Sequence, residues 1–345
     1  MTSLRAHARQ LVYRHAGGTA IVLVYHRVAS LERDPQLLAV TPEHFDAHMR
    51  ILADGYQVIA LADLVAASKE HRLPRRSVCV TFDDGYADNL LEAALLLAKH
   101  AVPATVFVSS GYVQSGREFW WDEVERIVLG PGTLPETMVL ETPEAKFSYR
   151  RETQHERTAK DEALDRSWNL LLPDAERRHT LYRRLCDFYR TLEPADRLSA
   201  LAQLREATHA DDEVRTTHRP LTAENVARLD SSPFVEVGAH TVNHAVLSAK
   251  NTAQQRAEIG CDKEALQEIC GHPIALFSYP YGSLSDYTDE TVSIVRESGF
   301  SGACSNHLGV VKPWTDIYRL PRVTVRDLEA SAFAELLEGW FREPR

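Results

Sequence analysis

VTFDDGYADN, Val80 to Asn89, is the stretch on which the reading of this chain turns. An apolar, β-prone run meets two adjacent carboxylates and a glycine. Like charges side by side repel and are costly to desolvate, so a buried Asp83–Asp84 pair needs a compensating charge. Asp-Gly is also an ordinary turn signal, and a lone DDG is a solvated turn more often than a site. The choice depends on what flanks it. Upstream, SVCVTF (Ser77–Phe82) is an apolar run of strand length, and downstream the Leu- and Ala-rich residues Asp88 to His100 predict a helix.

The same alternation continues outward. AIVLVY (Ala20–Tyr25) reads as a buried strand, and Thr41-Pro42 predicts a helix start, with Thr as N-cap and Pro in the first turn. ATVFV (Ala104–Val108) is a third strand. FVEVG (Phe234–Gly238), ALFSYP, FSGACS and YRLPRVTV are strand candidates further on. A helix is predicted from about Asn251 to Cys270, with Thr252 and Gln255 at capping-box spacing and Gly271 as its stop; another runs from Asp289 to Ser298. Strand–helix–strand order implies parallel strands with helical crossovers. Six or seven such strands predict an α/β fold, a parallel (β/α) barrel that is incomplete or distorted. In parallel barrels the chemistry gathers where strands end, and Asp83, Asp84, His240 and Tyr281 each fall just past a predicted strand.

The pattern changes near Arg117. Residues 118–217 are rich in charge, Leu and Arg, with weak strand signals, and AKDEALDRSWNLLL and RLSALAQLREA look helical. The expected organisation is a first barrel part over 1–117, a long mainly helical insertion over 118–217 and a second barrel part over 218–345. An independent helical domain is the competing reading. The insertion is a candidate lid, homo-oligomer contact or partner surface.

The 345 residues are 44% hydrophobic and 26% charged, an ordinary globular composition, with a net charge of −10 that disfavours nonspecific nucleic-acid binding. Five cysteines at wide spacings, with no CxxC, make neither a disulfide framework nor a cysteine-rich zinc motif. The apolar run Thr19–Tyr25 is too short to span a membrane, and no stretch elsewhere approaches a span. A cytoplasmic location is therefore expected.

VGAHTVNHAVLS, Val237 to Ser248, carries His240 and His244 three residues apart. On a helix they share a face; in a tight turn they can also converge. Such a pair alone is weak evidence, but it follows a predicted strand, as the aspartates do. One carboxylate and two imidazoles suit a catalytic divalent ion, leaving positions for water and substrate. Such an ion acidifies water and polarises a carbonyl, and a second carboxylate can act as general base. Its charge would also let Asp83 and Asp84 both stay ionised.

TFDDG followed far downstream by HTVNH resembles the first two motifs of the NodB-homology polysaccharide deacetylases, carbohydrate esterase family four. YHRV, VPATVFV, GAHTVNHAVLS and SYPYG resemble that family too, and the likeness covers most of residues 20–110 and 220–328. The resemblance implies that Asp83 is the base and that Asp84, His240 and His244 hold the metal. It implies further that SYPYG (Ser278–Gly282) is the third motif, usually RxPY. Its Pro280 and Tyr281 would then line the substrate site, with the Tyr281 backbone N–H in the oxyanion hole.

Two departures follow. The arginine that in the family orients the catalytic aspartate is Ser278 here, so Asp83 needs another partner; Arg322, in LPRVTV, is the candidate, with a surface arginine as the alternative. The family's C-terminal histidine acid is also missing, since YRLPRVTVRD has none. Some branches look circularly permuted, and this chain resembles them, so His26 in VLVYHRV is the expected acid. His307 in CSNHLGV is the runner-up. Trp120-Trp121 opens the insertion and reads equally as a saccharide platform or as an anchor.

Together these imply a metal-dependent hydrolase that deacetylates an N-acetylated sugar or saccharide and releases acetate. One divalent ion is expected, zinc first, with cobalt, nickel, iron and manganese compatible. Hydrolysis of another group (O-acetyl, formyl, cyclic amide) and non-catalytic carbohydrate binding are the alternatives.

Overall fold

The computed structural model describes residues 18–151 and 157–342. The arginine-bearing start of the chain, up to residue 17, lies outside the described residues. The described residues fall into two compact units, one comprising those through Ser30, Ala39–Gln114 and those from Leu221 onward, the other Leu31–Leu38 and those between Ser115 and Pro220.

In the first unit seven parallel strands close into a barrel: β1 (Ala20–Tyr25), β2 (Ser77–Phe82), β3 (Ala104–Val108), β4 (Val235–Ala239), β5 (Leu276–Ser278), β6 (Gly302–Leu308) and β7 (Leu320–Thr324). Each pairs with the next in chain order, and β7 pairs back with β1. The short strand Gln57–Val58 adds to the start of β2. The expected distortion is local. β1 and β2 run in register over six residues, but β4 and β5 share the single pair Ala239↔Phe277, and the β6–β7 register shifts between Cys304 and Leu308.

β1 and β2 are buried along their whole length because both faces are covered. Side chains alternate across a strand, so each run serves two cores. Ile21, Leu23, Tyr25, Val78, Val80 and Phe82 join one core with the surrounding helices. Ala20, Val22, Cys79, Phe107, Leu276 and Leu320 join another with Leu61 and Val65 of the helix Leu61–Lys69. Continuing the second set by twos brings Thr81 and Asp83, Ser278, and Arg322 to the same interior. Gly238 fits here because a Cβ would fall 2.5 Å from the Phe107 ring that fills the barrel.

Helix ends follow local chemistry. The Thr41 side chain accepts from the His44 N–H at the start of Pro42–Gly55. The helix Thr252–Cys270 begins one residue before the expected box: Asn251 caps it reciprocally with Gln254, while Gln255 is buried and donates to the Lys250 carbonyl. It ends, as expected, at Gly271 in the left-handed region.

The second unit holds the helices Trp120–Val128, Ala159–Ser167, Arg177–Thr191 and Pro194–Thr208. It also holds an antiparallel hairpin, Thr137–Glu141 with Lys146–Arg150, that the sequence reading lacks. TMVLE and KFSYR do alternate, but only Met138, Leu140 and Phe147 are buried, too few to stand out amid charge. The helix expected through AKDEALDRSWNLLL stops at Ser167, because Trp168 turns extended and stacks on His179 at 4.2 Å. Leu31–Leu38 join this unit through Arg33, 2.6 Å from Glu125, and Gln36, which donates to the Tyr182 hydroxyl at 2.9 Å. Among the described residues no helix is long and apolar enough to cross a membrane.

Candidate metal centre and active site

Three loops at the C-terminal ends of β2, β4 and β5 build the centre. After β2 the chain turns sharply, with Asp84 at φ 76° and Gly85 at φ 88°. Asp tolerates the left-handed region better than most residues, and the turn aims Asp83 and Asp84 differently. After β4 the HTVNH segment is an irregular loop rather than a helix. Positive φ at Thr241 (64°) and His244 (51°) folds it tightly enough to bring the two imidazoles together, with ring centroids 5.0 Å apart. After β5, Tyr281 and Gly282 both take positive φ. A Cβ at residue 282 would fall 2.7 Å from the Asn306 backbone nitrogen, so glycine is required there.

These turns gather Asp84, His240 and His244, all buried, with one ligand atom from each within 4.8 Å of the others. Asp84 Oδ1 is 3.2 Å from His244 Nε2 and 3.5 Å from His240 Nε2. His240 Nδ1 lies 2.7 Å from the Ser278 carbonyl oxygen, which can only accept. Nδ1 therefore carries the hydrogen, and in the neutral ring the Nε2 lone pair faces a carboxylate. Two acceptors facing each other in a buried site call for a proton or a cation between them. The outward N–H held by a backbone carbonyl is also how metal-ligating histidines are oriented. The residues fit a divalent ion.

Electrostatics agree. Burial works to raise the Asp84 carboxyl, but His240 and His244, which donate to it when protonated, hold it far below the usual carboxylate range. Burial works to lower His240, and the charges of Asp83 and Asp84 raise it overall.

Asp83 stands apart from this trio and is held by Arg322. The guanidinium donates to Oδ1 at 2.7 Å through Nη1 and to Oδ2 at 2.6 Å through Nη2. Arg322 is fully buried and anchored in turn: Nε donates to the Ser305 carbonyl at 2.7 Å, and Nη2 donates to Ser278 Oγ at 3.0 Å. The surface-arginine alternative is thereby set aside. Ser278, at the position where the resemblance expects an arginine, accepts from Arg322. Burial works to raise Asp83, but Arg322 and then His240 bring it below its ordinary range.

His26 follows β1 and is partly exposed. Burial lowers its pKa, opposed by the charges of Asp84 and Asp83, which places it within electrostatic reach of both. Its backbone carbonyl accepts from Asn89 Nδ2 at 2.9 Å, and Asp88 clamps the next two residues through Arg27 Nε (3.0 Å) and the Val28 N–H (3.0 Å). The YADN end of the opening stretch thus braces the YHRV loop, a link invisible from either motif alone. His307 bonds through Nδ1 to Ser305 Oγ at 2.6 Å. Pro280 is buried, and the Tyr281 ring meets His244 edge-on at 4.6 Å.

One site expectation changes, and one buried residue is new. Trp120 and Trp121 are 3% and 5% exposed, packed on each other, on Phe119 and on Tyr189 within the second unit. Rings so covered have no open face for a sugar, and the platform reading yields to packing. Asp262, absent from the sequence reading, is fully buried and accepts from the backbone N–H groups of His240 (2.8 Å) and Ser110 (2.8 Å). Burial pushes its carboxyl up to about 6. Only its place on a helix facing β4 reveals it, and no local motif marks that.

The family model for polysaccharide deacetylase matches residues 70–133 and 205–303. Over 89 residues the chain is 35% identical to YxkH of Bacillus subtilis (strain 168), a protein assigned as a polysaccharide deacetylase; the match spans 25% of this chain and 30% of that protein. Among solved structures, the Streptococcus pyogenes deacetylase PplD, in complex with acetate, superposes with TM-score 0.58 at 15% identity, over 92% of this chain and 98% of that one. IcaB from Ammonifex degensii gives 0.56 at 19% identity, over 94% and 98%. A de-N-acetylase from Aggregatibacter actinomycetemcomitans gives 0.56 at 14%, over 92% and 99%. At these identities the structural matches show the fold.

Proposed function

We propose, from the premise that this chain belongs to the polysaccharide deacetylase family, that it hydrolyses the acetyl group from an N-acetylated saccharide with the help of one divalent cation. The observation that carries the reading is the division of labour between the two adjacent aspartates. Asp84 converges with His240 and His244, while both oxygens of Asp83 are taken by Arg322.

Asp84, His240 and His244 would hold the ion, zinc by preference, with cobalt, nickel, iron or manganese also suited to an imidazole–carboxylate set. When bound, it supplies Lewis acidity, lowering the pKa of water and polarising the acetyl carbonyl. Asp83 accepts the proton of the attacking water on a lone pair that Arg322 leaves open. A carboxylate so stabilised is a weak base, and it suits water already made acidic. The Tyr281 backbone N–H donates to the oxygen that gains charge as the carbonyl carbon becomes tetrahedral. His26, as the imidazolium, gives its proton to the nitrogen as the C–N bond breaks and acetate departs. The Arg322–Ser278 pair holds Asp83 in one orientation through the cycle.

The test is acetate release from a panel of N-acetylated and O-acetylated saccharides, before and after chelation and with added metal. Release that is lost on chelation and returns with zinc or cobalt is expected. Release that survives complete metal removal overturns the reading, and saccharide binding without release under any metal favours the binding-protein alternative.

A further inference from the structure

At the other end of β4 from the proposed catalytic centre, three ligand types meet with no assigned role. Asp230 is the last residue of the helix Ala223–Asp230, Cys270 is the last of Thr252–Cys270, and His272 follows two residues later. One ligand atom from each lies within 4.8 Å of the others. Five residues of β4 separate this group from His240, about 17 Å at strand rise.

We propose that Asp230, Cys270 and His272 form a second cation site, for a transition-metal ion that takes a thiolate, an imidazole and a carboxylate. Four observations converge on it. Both helices end here, and the partial negative charge of helix C-termini favours a cation. Gly271, at φ 76°, turns the chain sharply between Cys270 and His272. His272 Nδ1 lies 3.2 Å from the Pro273 carbonyl, which can only accept, while Nε2 lies 2.7 Å from Asp230 Oδ2. The neutral ring would again aim a lone pair at a carboxylate, the arrangement found at His240. Finally, a further carboxylate, Glu236 near the start of β4, lies within electrostatic reach of both Asp230 and His272.

The simpler account is a His272–Asp230 ion pair beside a core cysteine. In that account the half-buried Cys270 only packs against the core, and its placing beside the other two ligand atoms is incidental. Ligands about 2.0–2.3 Å from one tetrahedral ion stand roughly 3.3–3.8 Å apart, so small side-chain rotations suffice to close the site. Thiolate ligation selects zinc, cobalt or copper over magnesium and calcium.

Cobalt(II) alone is the probe, titrated into the full chain stripped of metal and followed by absorption. Two equivalents are expected, one with a thiolate-to-cobalt charge-transfer band in the near ultraviolet. Cys270→Ser and His272→Gln, each checked for native circular dichroism, should each remove one equivalent; Cys270→Ser should abolish the band. Asp84→Asn should remove the other equivalent and leave the band, so failure of the catalytic-metal reading shows separately. No band in the wild type, or a band that persists in Cys270→Ser, overturns the proposal.

Discussion

Arg322 grips Asp83 through both carboxylate oxygens, at 2.7 and 2.6 Å, although the two residues lie 239 positions apart. β2 and β7 do not pair with each other, but both flank β1, and their alternate residues share the barrel interior. The contact therefore joins the closure of the barrel to the aim of the proposed base.

Removing this arginine strands a buried carboxylate. Arg322→Ala should cost about 3–5 kcal/mol of stability, the usual loss when one partner of a buried pair is deleted. Arg322→Lys should restore much of the stability but not the two-point grip. Its kcat should stay at least tenfold low while metal content is unchanged. Urea unfolding and metal analysis check this; a Lys variant with full kcat would remove orientation from Arg322's role.

The two aspartates separate by what they lose. Asp83→Asn should keep the ion and lose turnover by about 10²–10⁴, the range of a general base. Asp84→Asn should lose the ion itself. Metal-to-protein ratios after dialysis decide it: equal loss in both variants would mean that the roles are not divided as argued.

Much of this was legible in the chain before any coordinates. Buried runs such as AIVLVY and SVCVTF have strand length and no competing period, so the barrel could be read from them. Asp83, Asp84, His240 and His244 could be read because each follows such a run. The tight turn at HTVNH could not, since an HxxxH pair fits a helix equally well and only the positive φ of Thr241 and His244 decides. Arg322 was a candidate among many arginines, because burial depends on strand parity around a closed barrel. Asp262 and the Asp88–Arg27 brace left no local trace at all. Their partners are set by packing between elements distant in sequence. In the second unit, charge density hid the hairpin and made the buried tryptophans look available.

His26 should matter in proportion to the leaving group. An amine needs a proton to depart, whereas the alkoxide of an ester leaves more readily without one. His26→Gln should thus depress hydrolysis of N-acetyl substrates by about 10²–10⁴. Its effect on O-acetyl substrates should be smaller by at least tenfold. Equal losses on matched N- and O-acetyl sugars would move the acid elsewhere, with His307→Gln as the next variant to measure.

Trp120 is a packing residue on its burial, so its loss should be felt in folding. Trp120→Ala should destabilise the protein by about 3–5 kcal/mol, as large aromatic truncations do. Saccharide affinity of the folded fraction should be unchanged. A selective loss of affinity at native stability, measured by calorimetry beside thermal unfolding, would restore the platform role.

His48 gives the fold a pH dependence of its own. Its ring is fully buried and stacked on Phe333 at 3.9 Å; Nε2 donates to the Leu328 carbonyl at 2.7 Å and Nδ1 accepts from the Tyr25 hydroxyl at 3.3 Å. Burial pushes its pKa down to about 4, opposed by the Leu328 hydrogen bond; His44 lowers it further and Asp327 raises it. The unfolded chain binds this proton near pH 6.5, the folded chain only near 4. Between those values the unfolded state holds more protons, so stability rises with pH. The contribution is complete above about pH 7 and is lost as pH falls toward 4, by about 3 kcal/mol in all. His48→Gln keeps a donor and an acceptor but cannot titrate, so its stability should fall less over that window. Urea midpoints for both proteins at steps from pH 7 to pH 4 check this; parallel curves would assign the acid sensitivity to other groups.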